Sequence, residues 1–346
     1  MIAISWYGLS QYAARLIRAF SDQVQEEVLV LGVRPQVPVR GMEAVLGHPI
    51  IWIEEMADIT SWQELGLTVP EIFVQSGWAC HSFNVLGKEV KRHGGRVIGL
   101  CDNNWRGDLR QLLGGVFFRF RYRRSFDAIL VPGRSSSKMM RFYGMPKHRV
   151  SSGLYGADPK LFAAGPALEA RPKQFLFVGQ FVARKGVDVL RKAFIRVHQE
   201  HPEWRLRLCG NGPLLKHFCD IPGMSVDAFV QPENLAEIYH EARFLVLPSL
   251  QENWGLVVHE ATLCGCALLL SKAVGSGQDL ATASNAILFS AGNEEALYRA
   301  MTEAITWTDE QYQEAAHVSL KKADQFGPQR FAVSLRTLIE EVRSNS

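Results

Sequence analysis

The sequence predicts an α/β chain of two doubly wound domains, each a parallel sheet covered by helices. Three observations lead there. Short apolar runs alternate with stretches of helical period. The alternation breaks once, at the Ala-, Pro- and Gly-rich stretch AAGPALEARPK (163–173), and then restarts. At 346 residues with 47% hydrophobic content, the chain is about two ordinary domains long and carries enough apolar material for a core in each.

In order along the first half, IAIS at the start, EVLVLG (27–32), EIFVQ (71–75), RVIGL (96–100) and AILVP (128–132) read as buried strands, with amphipathic segments such as QYAARLIRAF between several of them. After the break come QFLFVG (174–179), RLRLCG (205–210), MSVDAFV (224–230), FLVLP (244–248) and ALLLS (267–271), each followed by a helical or Gly-rich segment. The expected domains are residues 1–165 and 166–327, with a C-terminal helix at 328–346 packing back on the first. Ligands of such sheets sit at the carboxyl ends of the strands, so the cleft between the domains is the expected site.

The start, MIAISWYG, lacks the basic region and long apolar core of a signal peptide, and no window approaches the roughly 18 uninterrupted apolar residues of a membrane span. A cytoplasmic or peripheral protein is the reading. The six cysteines lie scattered through apolar segments, as expected of buried thiols in a reducing compartment. Cys264 and Cys266 form a C-x-C with no second pair at zinc spacing, and no metal site is expected. The net charge of +3 is unevenly spread: residues 101–150 hold 11 Lys or Arg against 3 Asp or Glu, so the rest of the chain is net acidic. That basic region suggests an anionic partner. At its centre, VFFRFRYRRSF (116–126) interleaves arginines with aromatics. It reads either as an anionic membrane surface contact or as a half-buried helix whose aromatics face the core.

The segments after the second-domain strands carry the chemistry. In PSLQENWGLVVHE (248–260), a loop precedes a helix that begins at Gly255 and closes at Gly265. Unpaired N–H groups at a helix start favour an anion. Glu260, just over one turn in, leans back toward that start, and Glu252 stands on the preceding loop. Carboxylates accept hydrogen bonds from paired hydroxyls, as sugar diols require, so a phosphate flanked by two polyhydroxyl groups is the ligand this spacing suits. The plainer alternative makes Glu252 a solvated loop residue and Glu260 an exposed helix residue. In FVGQFVARKGVDVL (177–190), Arg184 and Lys185 precede Gly186, where a lysine neutralises phosphate as a point charge. LCGNGPLL (208–215) adds a Gly-rich turn suited to close approach of a flat base, and AVGSGQDL (273–280) another.

With these motifs the chain resembles the glycosyltransferases of family 4, whose GT-B fold is two facing Rossmann-like domains. PSLQENWGLVVHEA is similar to that family's paired-glutamate motif. It is joined in order by G-x5-K-G (Gly179 to Gly186), by G-x-G-P (Gly210 to Pro213) and by YGADPKLF (155–162). The resemblance covers about half the chain, nearly all of it in the second domain. It implies that Glu260 binds ribose hydroxyls and Lys185 the diphosphate, with Gly179, Gln180 and Arg184 beside it. Glu252 and the backbone of Asn253, Trp254, Gly255 and Leu256 meet the donor sugar and β-phosphate. Gly210, Asn211 and Gly212, with the backbone near Phe229 and Val230, lie against the base. It further implies a hexosyl transfer from a nucleotide sugar, with retention of configuration and without a metal or other cofactor, to a glycan or lipid-linked acceptor in cell-surface polysaccharide or lipopolysaccharide assembly. Two positions depart from the family. Gln180 stands where Arg is common. RVIGLC runs into Asp102, Asn103, Asn104 and Trp105 where many members have a His. Asp102 is the candidate to replace that His or to accept the acceptor's proton, its alternative being a cap for the next helix. His81 is a weaker candidate.

Other classes fit less well. A dehydrogenase would need G-x-G-x-x-G after the first strand, and IAISWYGLSQYA has a single glycine, Gly8. A nucleotide-sugar epimerase of the same fold would need no acceptor. A non-enzymatic binder of anionic ligands would use only the basic region, and nucleic acid is not an expected partner.

Overall fold

The structure is a computed structural model describing residues 1–35, 40–54 and 58–344. It divides into two units: residues 1–156 with 326–346, and residues 157–325.

In the first unit, β1 (Ile2–Trp6), β2 (Val28–Gly32), β3 (Ile51–Trp52), β4 (Ile72–Ser76), β5 (Arg96–Leu100), β6 (Ala128–Val131) and β7 (Val150–Ser152) form one sheet in the order β3-β2-β1-β4-β5-β6-β7. All its pairings are parallel. Alternate side chains enter two cores. Ile2, Ile4, Val74 and Ile98 face α1 (Gln11–Ser21), α2 (Met42–Leu46) and α12 (Pro328–Ser344). Ala3, Phe73, Val97 and Ile129 face α3 (His81–Arg92), α4 (Leu109–Arg121) and α5 (Arg134–Phe142). A parallel sheet covered on both faces needs apolar residues at every position, which is why its strands are legible as unbroken apolar runs. The helix expected at 328–346 packs α12 on α1 through Phe331, Leu335, Leu338 and Ile339; residues 345–346 lie outside the described residues.

The second unit repeats the plan. Its sheet, ordered β10-β9-β8-β11-β12-β13, is built from β8 (Gln174–Val178), β9 (Arg205–Cys209), β10 (Met224–Asp227), β11 (Phe244–Leu247), β12 (Ala267–Ser271) and β13 (Ala286–Phe289), again all parallel. Its helices are α6 (Val187–Glu200), α7 (Pro232–His240), α8 (Leu256–Leu263), α9 (Gly277–Leu280), α10 (Glu294–Ile305) and α11 (Asp309–Ala323). The strand expected at 224–230 stops at Asp227.

The expected boundary at 165/166 falls within this unit, which begins at Ala157. The Ala/Pro/Gly stretch is irregular but firmly packed. Leu168 is buried, and the buried Arg171 donates to the carbonyls of Pro166, Tyr239, Ala242 and Cys264. Such composition leaves only a single 3-10 turn, Leu168–Ala170, and says nothing about packing.

Candidate functional site

In both sheets the first strand has later strands on either side, and the crevice at that reversal is where open α/β sheets take ligands. In the second unit the reversal lies between β8 and β11, whose following loops carry Lys185 and Glu252. The two loops abut closely. Gly186 has φ +67°, and a Cβ there would stand 2.2 Å from the Pro248 carbonyl oxygen, so only glycine fits. Leu250 N–H donates to the Arg184 carbonyl at 2.8 Å. Lys185 Nζ thereby reaches Glu252 Oε2 in an ion pair, both side chains largely buried, and Ser249 Oγ donates to the same oxygen at 3.2 Å. Glu252 is thus no solvated loop residue. Its loop is pinned from the far side, since Gly275 N–H donates to its carbonyl and Ser276 N–H to that of Trp254.

Gly255, at φ +86°, turns the chain into α8. Val258 N–H donates back to the Gly255 carbonyl at 2.9 Å, while the two N–H groups before it open the helix, where an intrahelical acceptor does not exist. Glu260, one turn in, is buried rather than exposed and accepts a 2.7 Å hydrogen bond from the Tyr239 hydroxyl. Burial pushes its carboxyl up to about 7, against the opposing pull of the Tyr239 bond. Tyr239, whose ring packs edge-on against Phe162, is a site residue that sequence reasoning missed; it lies on a different helix, 21 positions away.

The remaining candidates lie on the loops that follow β8, β9 and β10. Gln180 Oε1 accepts from Arg184 Nη2 at 3.1 Å, so the departure at position 180 orients the neighbouring arginine. Gly210 and Gly212 have φ near +150°, and Cβ atoms there would stand 1.9 Å from the Gly179 carbonyl and 2.6 Å from that of Phe181. These glycines therefore let the β8 and β9 loops touch, and the Asn211 carbonyl accepts from Phe181 N–H. Phe229 and Val230 follow β10, beside Cys209, whose thiol is pushed up to about 11 by burial, then by the charge of Asp227. Cys264 and Cys266 lie buried around Arg171, and burial raises both thiols. Among the described residues, no group of three or more His, Cys, Asp or Glu side chains is spaced to hold a metal ion.

The residue before Glu260 plays a different part. His259 is buried, and burial lowers its pKa to about 4, so it is neutral. Its Nδ1 accepts from Ala157 N–H at 2.8 Å and its Nε2 donates to the Ala323 carbonyl at 2.9 Å. One imidazole thus fastens the entry and exit of the second unit.

In the first unit, a pocket of about 520 Å³ opens at the ends of β1, β4 and β5, lined by Trp6, Tyr7, Trp78, His81, Asp102 and Tyr155 among others. Asp102 Oδ2 accepts from the Tyr155 hydroxyl at 3.2 Å. It is not the cap of the next helix: that is Asp108, whose carboxylate accepts from Gln111 N–H. His81, exposed at the first turn of α3, also lines the pocket. In the segment 116–126, Phe118 and Phe126 enter the core while Phe117 and Phe120 are exposed.

Residues 172–306 match the family model described as Glycosyl transferases group 1. Among curated proteins, the chain is 30% identical over 166 residues to D-inositol 3-phosphate glycosyltransferase 2 of Catenulispora acidiphila, covering 41% of this chain and 39% of that one. It is 27% identical over 164 residues to the D-inositol 3-phosphate glycosyltransferase of Rhodococcus jostii, covering 41% and 36%. The chain thus spans under half the length of these relatives. Among solved structures, Anabaena HepE in complex with UDP and glucose is similar with TM-score 0.76 at 13% identity, over 98% of this chain and 99% of that one. Sucrose-phosphate synthase from Thermosynechococcus elongatus gives TM-score 0.74 at 15% identity over 100% and 99%. The fold is therefore GT-B, two Rossmann-like parallel-sheet domains.

Proposed function

We propose that the protein is a retaining glycosyltransferase of the hexosyl type, moving a sugar from a nucleoside-diphosphate donor to a glycan or lipid-linked acceptor in cell-surface polysaccharide or lipopolysaccharide assembly. The observation that carries the reading is the Lys185–Glu252 pair at the crevice between β8 and β11, directly before the start of α8. Lys185, Arg184 and the α8 N–H groups are fixed positive elements for the diphosphate, whose charge grows as the bond from C1 to the phosphate oxygen breaks. No metal is needed in this scheme. Glu260 accepts from the ribose diol, and Glu252 holds the donor sugar. Gly210 to Gly212, with Phe229 and Val230, flank the base. In the first unit, the aromatic pocket suits an acceptor sugar ring, and Asp102, oriented by Tyr155, is placed to accept a hydrogen bond from an acceptor hydroxyl.

The family match and the relatives above support transfer, and nothing in them favours the epimerase alternative. UDP, which HepE binds, is the first nucleotide to try. The six free cysteines, four of them buried, suit a reducing cytoplasm. A ligand at 100 times its Kd stabilises the folded state by about 2.7 kcal/mol, so one of UDP, GDP or ADP will raise the melting temperature. If none of the three or their sugars does, the reading fails. Retention is checked by NMR of the product's anomeric centre.

A further inference from the structure

The outward face of α4 is apolar where a surface helix is ordinarily polar. Of the eleven large apolar side chains exposed among the described residues, six lie on this one helix: Leu109, Leu112, Leu113, Val116, Phe117 and Phe120, so they form a patch rather than a scatter. At about 100° per residue they fall within an arc of about 140°, opposite Gln111, Gly115 and Phe118, which pack inward. Arginines border the stripe on both sides, Arg110 and Arg121 along one edge and Arg119 along the other, with Arg124 just beyond the helix end. This is the centre of the region with 11 basic and 3 acidic residues.

We propose that α4 is an interfacial anchor that lays its apolar stripe into an anionic phospholipid bilayer while the bordering arginines meet the phosphate headgroups. Thirteen residues make a helix about 20 Å long, too short to cross a hydrocarbon core of about 30 Å, and no helix among the described residues is long and apolar enough to do so. It therefore lies flat. Exposed aromatic and leucine side chains between basic residues are the composition that binds at the headgroup boundary, and Arg stems let the charge reach outward while the methylenes stay apolar. A second copy of the chain is the rival occupant. A two-fold interface would set this patch against itself and press the same arginines together, a like-charge contact that disfavours it. Anionic lipid has the opposite charge. The loop from Asp102 and Asn103, which line the first-unit pocket, runs directly into the Asp108 cap of α4. On the transferase reading, the anchor would hold that pocket near bilayer-borne acceptors; the binding itself does not depend on that reading.

Vesicle flotation of the whole chain tests this, with phosphatidylcholine alone and with added phosphatidylglycerol, at low and high salt. Wild type should float with the anionic vesicles at low salt and be released at high salt. Reversing Arg110, Arg121 and Arg124 to Glu should weaken partitioning by roughly a hundredfold or more, each basic residue contributing about fivefold. Phe117→Ser with Phe120→Ser should weaken it further while leaving UDP binding and the thermal midpoint unchanged, since both rings are exposed. Independently, a Phe120→Trp chain should show a blue shift in emission on anionic vesicles only. Equal binding to neutral and anionic vesicles, no binding by wild type, no blue shift, or variants that abolish a dimer on sedimentation without changing flotation would each overturn the proposal.

Discussion

Glu260 sits where its charge is poorly solvated, and its proton is therefore coupled to whatever binds beside it. In the ligand-free protein the folded state favours the protonated form. Its contribution to stability is fully present below the ordinary value of 4.5 and is lost, by about 3 kcal/mol, as pH rises through about 7. In the proposed complex, ribose hydroxyls donating to the carboxylate would favour the ionised form instead. Affinity for a nucleotide sugar, whose diphosphate diester does not titrate there, should rise about tenfold between pH 6 and 8. Calorimetry in buffers of differing ionisation heat should record proton release, and Glu260→Gln should flatten the profile; a wild-type profile already flat would remove the ribose role. Glu260→Ala should weaken nucleotide binding by about 1.5 to 3 kcal/mol. Glu252 behaves differently, because it already neutralises Lys185. With Glu252→Gln, the lysine is left for the diphosphate alone. UDP affinity should hold or increase while turnover falls by about a hundredfold, and parallel losses of both would place Glu252 on the nucleotide rather than on the sugar.

At the scale of elements, the helix α8 does two jobs with adjacent residues, Glu260 toward Tyr239 and His259 toward the chain crossings. His259 has its pKa lowered in the fold, from 6.5 to about 4. The unfolded chain therefore takes up a proton first as the medium becomes acidic. The stability it supports is complete above pH 6.5 and is lost by about 3 kcal/mol as pH falls to 4. The difference in denaturant stability between wild type and His259→Gln should shrink over that window; a constant difference would mean the imidazole is not held neutral. Strands were legible because both sheets are buried on two faces. RVIGL and ALLLS are read to the residue, whereas β7 is the polar VSS at an edge, and the short edge strands β3, two residues within IIWI, and β13, AILF, are not legible because four apolar residues alone do not distinguish strand from helix or loop. For the site, Lys185, Glu252 and Glu260 were legible from loop motifs. Tyr239 and Tyr155, the partners of Glu260 and Asp102, were not, since a hydroxyl 21 or 53 positions distant leaves no local pattern.

For the whole molecule, the proposed chemistry draws its positive charge from the chain itself, and activity should survive a chelator; a loss restored by Mg²⁺ or Mn²⁺ would count against that scheme. The first unit depends on a helix that lies beyond the second in sequence. Leu335→Asp puts an unpaired charge into the α1–α12 contact. Hydrogen exchange should show β1 and α1 losing protection while the amides of residues 157–325 keep theirs and UDP still binds.

That interruption has a consequence for synthesis. Domains ordinarily fold in the order in which they leave the ribosome, but here the first 156 residues wait for Phe331, Leu335, Leu338 and Ile339 to complete the cover that α1 and α2 begin on one face of their sheet. The inserted unit, whose entry and exit are tied by His259, is complete as soon as Ala323 has emerged. The later-made half thus matures first. For the time taken to translate the intervening residues, the nascent chain carries an apolar face that α1 and α2 cover only in part, and it is in that interval, rather than in the finished protein, that chaperones have most to bind.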